Sequence, residues 1–165
     1  MGSGIRRERR IPSSLANWEA RKGLPPRVAV VDTGPLYAAV DQDDQDHGRS
    51  VAVLQQPGLR LVIPALVIAE ACYLIGTRLG AAIEARFVAT MTGFEVRAPE
   101  PQDWQRIGAL VERYKDFPLG GVDASVVVLA DRLRTRLIIT LDQRHFGAVR
   151  GIGGHPFQLL PELAE

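Results

Sequence analysis

Residues 28–32 are Val28-Ala29-Val30-Val31-Asp32, four apolar residues followed at once by a carboxylate. The same arrangement returns near the other end of the chain, where Leu137-Ile138-Ile139-Thr140-Leu141 leads into Asp142. Short, continuous apolar runs are typical of strands that are buried on both faces of a parallel sheet. Because parallel strands end at the same edge of a sheet, Asp32 and Asp142 are predicted to reach one crevice if their strands are neighbours.

Helical segments separate the short apolar runs along the chain. Strands are predicted at residues 27–31, 59–63, 94–97, 136–141 and 156–160. Helices are predicted at residues 34–40, 64–78, 81–92, 101–114 and 122–133, with another that ends near residue 55. This alternation predicts a three-layer α/β/α domain with a mainly parallel sheet flanked by helices.

The length and composition favour an ordinary cytoplasmic protein. The chain has 165 residues, which suits one domain with a sizeable core. No apolar stretch approaches the roughly 20 residues of a membrane span, so no membrane partner is expected. The charged segment at residues 5–10 is not followed by the apolar region of a signal peptide.

The net charge of +1 is unevenly distributed. Residues 1–22 carry six basic and two acidic side chains, a sum of +4, so the remainder carries −3. Residues 1–26 are interpreted as a basic N-terminal extension, ending at the breaker Pro25-Pro26, before a domain that spans residues 27–165. Three interpretations of this extension remain open: a disordered or docked tail, an addition to the native sequence, or a nucleic-acid-binding arm. Nucleic-acid binding by the body would depend on local arginines, a metal ion or this arm.

Two further acids lie alone among apolar residues. Glu70 interrupts one apolar helical segment, and Asp123 opens another. Several of the acids also have a local explanation, because Asp32 and Asp123 could cap the helices that follow them and Asp142 could begin a turn. Glu70 resists such an explanation, since a carboxylate in the middle of an apolar helix caps nothing.

Taken together, the four acids predict a metal site. Carboxylates are rarely buried without a compensating charge, and no basic residue lies within five positions of Glu70. Hard divalent cations such as Mg²⁺ and Mn²⁺ prefer oxygen ligands, and they supply the activated water that phosphodiester hydrolysis needs. If the fold gathers them, the candidate metal ligands and catalytic residues are Asp32, Glu70, Asp123 and Asp142.

Four segments carry a resemblance to the PIN domain, and most closely to its VapC-type toxin branch. They are Val30-Val31-Asp32-Thr33-Gly34-Pro35-Leu36, then Ile63-Pro64 leading to Glu70, then Asp123-Ala124-Ser125, and finally Ile139-Thr140-Leu141-Asp142-Gln143-Arg144-His145-Phe146. The resemblance implies a Mg²⁺- or Mn²⁺-dependent endoribonuclease, usually a homodimer, that a cognate antitoxin holds inactive. One departure is the start, because the first acid of the family usually lies within a few residues of the N-terminus.

The resemblance also implies roles for individual residues. Carried over by position, the acidic quartet is Asp32, Glu70, Asp123 and Asp142. Thr33, Ser125 and Thr140 would support the quartet through their hydroxyl groups. Arg144 and His145 are candidate substrate contacts because they follow the last acid and arginine pairs well with phosphate. Packing of the loop against the sheet is the alternative role for His145.

The leading interpretation is a nuclease that cuts RNA and leaves 3′-hydroxyl and 5′-phosphate ends, and three other classes of protein are alternatives to it. A phospho-receiver would need a lysine near the end of a late strand, and residues 136–150 contain none. A haloacid-dehalogenase-type phosphatase would need an acid two residues after Asp32, where Gly34 stands. A catalytically silent PIN-fold module that binds RNA or protein is the remaining alternative, and the presence of all four acids argues against it.

Overall fold

The structure, a computed structural model, describes residues 25–117 and 119–162. Its strands are β1 (Arg27–Val31), β2 (Leu59–Pro64), β3 (Glu95–Arg97), β4 (Leu137–Ile139) and β5 (Gln158–Leu160). Its helices are α1 (Thr33–Val40), α2 (His47–Leu54), α3 (Ala65–Arg78), α4 (Ala81–Thr90), α5 (Pro101–Arg113), α6 (Gly121–Arg132) and α7 (Gln143–Ala148). Short 3-10 turns follow α4 at Met91–Gly93 and precede β5 at Ile152–Gly154. The extension predicted for residues 1–26 lies outside the described residues except for its last two.

The five strands form one parallel sheet in the order β3-β2-β1-β4-β5. Val30 of the central strand β1 pairs with Val62 on one side and with Ile138 on the other. The chain first adds β2 and β3 on one side of β1 and then returns to add β4 and β5 on the other. This reversal makes the β1–β4 junction the topological switch point, where open α/β sheets bind ligands. The predicted parallel sheet flanked by helices is confirmed.

Several predicted boundaries differ from the structure by one or more residues, and two of these differences lie at strand ends beside the edge of the sheet. Pro64 was expected to begin a helix, but it ends β2, because its ψ of 139° is extended and it pairs with Arg97 of β3. The strand expected to continue to residue 141 ends at Ile139, and the next residue, Thr140, turns its hydroxyl towards Asp32. The short helix α7, which follows this turn, was not predicted.

The centre of the core is helix α6, which packs against the sheet and against α5. Each of its residues from Ala124 to Ala130 is buried, so its apolar character on all sides matches its position. Phe146 of α7 and the strand residues Ile138 and Ile139 are also completely buried. Burial of a side chain of this size stabilises the fold by about 1.5–3 kcal/mol, so these elements hold the polar residues at their ends in defined positions. Within the described residues, no helix has the length and apolar character needed to span a bilayer.

Candidate active site

The ends of β1 and β4 bring two of the predicted acids together. The Asp32 amide donates to the carbonyl oxygen of Ile139 at 2.9 Å, which extends the ladder between the two strands. The Thr140 hydroxyl then donates to Asp32 Oδ2 at 2.8 Å and accepts from the Asp142 amide at 2.9 Å. Thr140 is fully buried and Asp32 is 6% exposed. The hydroxyl expected to support the site therefore ties the first acid to the loop that carries the last.

Glu70 reaches the same edge of the sheet from the second turn of α3. The hydroxyl of Thr33, the first residue of α1, donates to Glu70 Oε2 at 2.6 Å. Since α1 begins directly after Asp32, this bond holds Glu70 beside the end of β1 across a sequence separation of 37 residues. The backbone N–H of Thr33 also lowers the pKa of the Asp32 carboxyl. Thr33 thus supports two acids with two different groups.

Each of the other two acids is held by a donor from its own segment. Asp123 lies in the first turn of α6, where its Oδ2 accepts from the Gly120 amide at 2.9 Å. Asp142 precedes α7 and accepts from the His145 amide at 2.8 Å, while the His145 ring Nδ1 lies 2.5 Å from its other oxygen. The local roles that the sequence allowed for these two acids are therefore present, whereas the Asp32 side chain makes no capping hydrogen bond to α1. Both acids nevertheless line the groove that the first two acids line.

Burial and the charge of neighbouring acids raise the pKa values of two of the acids, Asp32 and Asp123. Burial raises the pKa of Asp32 from 3.8 to about 7. Hydrogen bonds from Thr140 and Thr33 oppose this rise, whereas the negative charges of Asp123 and Glu70 add to it. Burial also raises the pKa of Asp123, with further contributions from two neighbouring acids. The carboxylates therefore interact electrostatically, as acids gathered at one site do.

The donor set has the chemistry that a hard divalent cation requires. Its atoms are carboxylate oxygens from separate elements, and the raised pKa values of Asp32 and Asp123 mark negative charge that a cation would stabilise. As the side chains stand, no three acidic, histidine or cysteine residues in the described ranges form a group that could hold an ion. Glu70 is turned to Thr33 and Asp142 to His145 instead. To bind an ion, these two carboxylates would have to give up these hydrogen bonds.

Arginines border the acidic groove, and most of them were not predicted from the sequence. Arg49 of α2 pairs with Asp46 at 2.7 Å, and its buried Nε has no hydrogen-bond partner among the described residues. Arg78 ends α3 and places its guanidinium carbon 5.3 Å from the centre of the Tyr37 ring. Arg144, which the sequence analysis did select, lines the same groove. Cations around an anionic centre suit phosphate groups on either side of a bound metal ion.

One of the missed arginines had a usable signal in the sequence. Glu70, Leu74 and Arg78 follow one another at four-residue spacing on α3, which places them near one helix face. Helical spacing from the predicted acid could therefore have identified Arg78. Arg49 had no such signal, because it reaches the groove only through the packing of α2 against α1.

Ser125 and His145 have contacts that the sequence did not indicate. The Ser125 hydroxyl donates to the Val122 carbonyl at 2.6 Å, and Ser125 lines a small separate cavity between α5 and α6. The His145 ring faces Asp142 rather than open solvent. The His145 ring also packs edge-on against the Phe117 ring, with the ring centres 5.0 Å apart, and the next residue, Phe146, is completely buried, so both residues pack this loop. Ser125 is therefore not gathered with the acids, whereas His145 is.

Comparison with known proteins gives a family and a close relative. The family model of the PIN domain matches residues 29–152. Ribonuclease VapC26 of Mycobacterium tuberculosis is 37% identical over 134 residues, which cover 80% of this chain and 99% of the relative. The match to the family model thus includes the whole segment from Asp32 to Asp142.

Solved structures share the fold at lower sequence identity. VapC20 of Mycobacterium tuberculosis, a toxin that cleaves the sarcin–ricin loop, has a TM-score of 0.61 at 18% identity, covering 67% of this chain and 86% of that one. VapBC2 from Rickettsia felis, bound to a DNA fragment from its promoter, has a TM-score of 0.60 at 12% identity, with coverages of 80% and 98%. A toxin–antitoxin complex from Klebsiella pneumoniae gives 0.55 at 18% identity, with coverages of 73% and 92%. At these identities the likeness concerns the fold alone.

Proposed function

This chain belongs to the PIN-domain family, and on that premise we propose that it is a metal-dependent endoribonuclease, the toxin of a toxin–antitoxin pair. The observation that carries the proposal is the groove at the β1–β4 switch point, lined by four acids from separate elements. A relative that is 37% identical along nearly its whole length is a ribonuclease. The proposed nuclease domain spans residues 27–165, with residues 1–26 as an extension.

PIN-domain ribonucleases of this type generally depend on a divalent metal ion, and Mg²⁺ or Mn²⁺ is the ion we propose here. The residues that would hold it are Asp32, Glu70, Asp123 and Asp142. When bound, the ion supplies an activated water and stabilises charge on the leaving oxygen. Thr140 keeps the carboxylate of Asp32 oriented through its hydrogen bond, and Thr33 holds Glu70 beside it in the metal-free protein.

The proposed reaction is hydrolysis at a phosphodiester of RNA. A water oxygen bonds to phosphorus, the bond from phosphorus to the 3′ oxygen breaks, and the 3′ oxygen takes up a proton. The products are a 3′-hydroxyl end and a 5′-phosphate end. Arg78, Arg49 and Arg144 border the acids and are placed to bind the phosphates that flank the bond being cut. Arg78 is well suited, because no carboxylate of the described residues pairs with it and its guanidinium lies over the Tyr37 ring.

A cognate antitoxin is the proposed protein partner, since two of the structural relatives are a VapBC assembly and a toxin–antitoxin complex. We also propose a homodimer that acts on RNA in the cytoplasm. Tyr73 of α3 and Val88 of α4 are 69% and 48% exposed, and these two helices pack against each other. Exposed apolar side chains on adjoining helices suit a contact with a second protein surface.

The test is cleavage of total cellular RNA by the purified, antitoxin-free chain, with Mg²⁺, with Mn²⁺ and with EDTA. We expect cleavage only with metal, and a loss of at least about a hundredfold in Asp32→Asn, because metal stabilisation is worth several kcal/mol. Asp43→Asn is the matched control, since Asp43 is an exposed acid outside the groove and should cleave like the wild type. Cleavage that survives EDTA and Asp32→Asn would refute the proposal. Metal-dependent stabilisation without cleavage of any RNA would favour a silent binding module.

A further inference from the structure

A basic pocket lies at the opposite edge of the sheet, where the strands begin. Arg27 at the start of β1, Arg134 after α6 and Arg136 before β4 line it together with Gln158 and Phe157. None of the residues that line this pocket is acidic. Five residue steps along β1 separate Arg27 from Asp32, which corresponds to about 17 Å. The pocket is therefore distinct from the acidic groove.

The arginines of this pocket have no acidic partner among the described residues, in contrast to five other arginines of the domain that pair with carboxylates: Arg49, Arg60, Arg97, Arg106 and Arg132. Arg60 pairs with Glu95 at 2.8 Å, and Arg132 pairs with Asp103. In contrast, Arg27 donates to the Gln158 amide oxygen at 2.8 Å. Across the part of the chain that the structure describes, Arg134 and Arg136 have no side-chain hydrogen bond or ion pair. Three exposed cations therefore remain available to an anionic ligand.

The backbone of Arg134 adds an independent observation. Its φ is +53°, in the left-handed region that favours glycine or asparagine. It follows the end of α6, where the Arg134 amide donates to Asp131 and the Thr135 amide donates to Ala130, a helix-ending turn in which glycine is common. An arginine at this position costs stability that glycine would not. A strained residue with a free charged side chain points to a role for that side chain outside the fold.

We propose that Arg27, Arg134 and Arg136 form a second binding site, for the phosphate backbone of the RNA substrate. The site rests on the proposed ribonuclease function, and it would anchor an RNA away from the bond being cut. Arginine binds phosphate oxygens through paired N–H donors, and phosphate contacts position a nucleic acid without reading its sequence.

RNA suits this pocket better than a protein partner does. Protein interfaces depend on exposed apolar anchors at their centre. The exposed large apolar residues of the described domain are Tyr73, Val88, Phe94, Val96 and Trp104, and none of them lines the pocket. Phe157, which does line it, is only 9% exposed. The available chemistry is positive charge, which is the main determinant of affinity for a nucleic-acid backbone.

The test is binding of a 30-nucleotide single-stranded RNA to the full chain in the cleavage-deficient Asp32→Asn background. Binding is measured by fluorescence anisotropy at several salt concentrations. The variant is Arg134→Gly with Arg136→Ser. The matched control is Arg86→Ser with Arg113→Ser, which removes the same charge from exposed positions on α4 and α5. We expect the variant to bind roughly tenfold more weakly than the control and its salt slope to fall by about 1.4, since each lost phosphate contact accounts for about 0.7.

Two further readouts separate this site from a folding defect and from the acidic groove. Arg134→Gly should raise the melting temperature because it relieves the left-handed arginine, so weaker binding could not come from unfolding. In the background with native Asp32, Mn²⁺ should stabilise the variant as much as it stabilises the wild type, because the acids lie at the other edge. RNA affinity equal to that of the control pair would overturn the proposal, as would loss of antitoxin binding with unchanged RNA affinity. Since the assay needs no cleavage, its result is independent of whether the proposed nuclease activity is found.

Discussion

Replacement of Asp32 by asparagine should stabilise the metal-free protein at alkaline pH while it abolishes activity. Asp32 is 6% exposed, and burial beside other acids raises its pKa from 3.8 to about 7. Above pH 7, the folded protein without metal therefore holds a charge where a neutral group would be more stable. Asparagine has nearly the same shape and carries no charge. The residue most needed for function is thus predicted to be a source of instability.

The magnitude and sign follow from the two pKa values. Because the folded state binds the Asp32 proton more tightly than the unfolded state does, the wild-type protein loses stability as the pH rises from about 4 to about 7. The difference between 3.8 and about 7 corresponds to about 4 kcal/mol, at about 1.4 kcal/mol per pH unit. The asparagine amide brings two N–H donors into a buried site, which costs about 2 kcal/mol. We expect Asp32→Asn to stabilise the protein by about 2 kcal/mol at pH 8 and to destabilise it near pH 4.

Thermal unfolding in EDTA between pH 4 and pH 8.5 measures this crossover. For a chain of this size, about 2 kcal/mol corresponds to a melting temperature about 5 °C higher at pH 8. Asp43→Asn, at an exposed position, is the control for loss of one negative charge. With saturating Mn²⁺ the order should reverse, because the wild-type protein gains binding free energy that the variant lacks. A variant less stable than the wild type at pH 8, or a difference independent of pH, would refute the reasoning.

Three other substitutions test the support of the site. Thr140→Val removes the hydroxyl that bonds to Asp32, so protons should compete better with metal for this carboxylate. The midpoint of the rise in cleavage rate with pH should therefore move up by about 1 pH unit. Thr140→Ser keeps a hydroxyl and should show the pH profile of the wild type. Arg78→Ala should raise KM about tenfold and leave kcat within about threefold in steady-state kinetics. The control is Arg113→Ala, which should change neither value because Arg113 does not line the groove. Phe146→Ala should lower the free energy of unfolding in urea by about 3–5 kcal/mol, because the ring is completely buried; a loss below about 1 kcal/mol would contradict the packing described for α7.

The order of elements could be predicted from the sequence because it depends on local patterns. Apolar runs of a few residues, separated by helical segments and by breakers such as Pro57-Gly58, are typical of a parallel sheet with flanking helices. The acids after the first and fourth strands were predicted to share an edge, since parallel strands end together. Local patterns were least informative at segment ends, where Pro64 closed a strand and Asp142 began an unpredicted helix.

The acids, their order and the class of metal they suit were determined by the sequence alone, because carboxylates among apolar residues are recognisable without a structure. Only the tertiary structure decided that Thr140 holds Asp32 across 108 residues and that Thr33 holds Glu70 across 37. It also decided which arginines border the acids and which remain free at the other edge. The physical reason is that a hydrogen bond, a buried charge and a raised pKa depend on distance in space, and the folded chain brings together groups that the sequence keeps far apart.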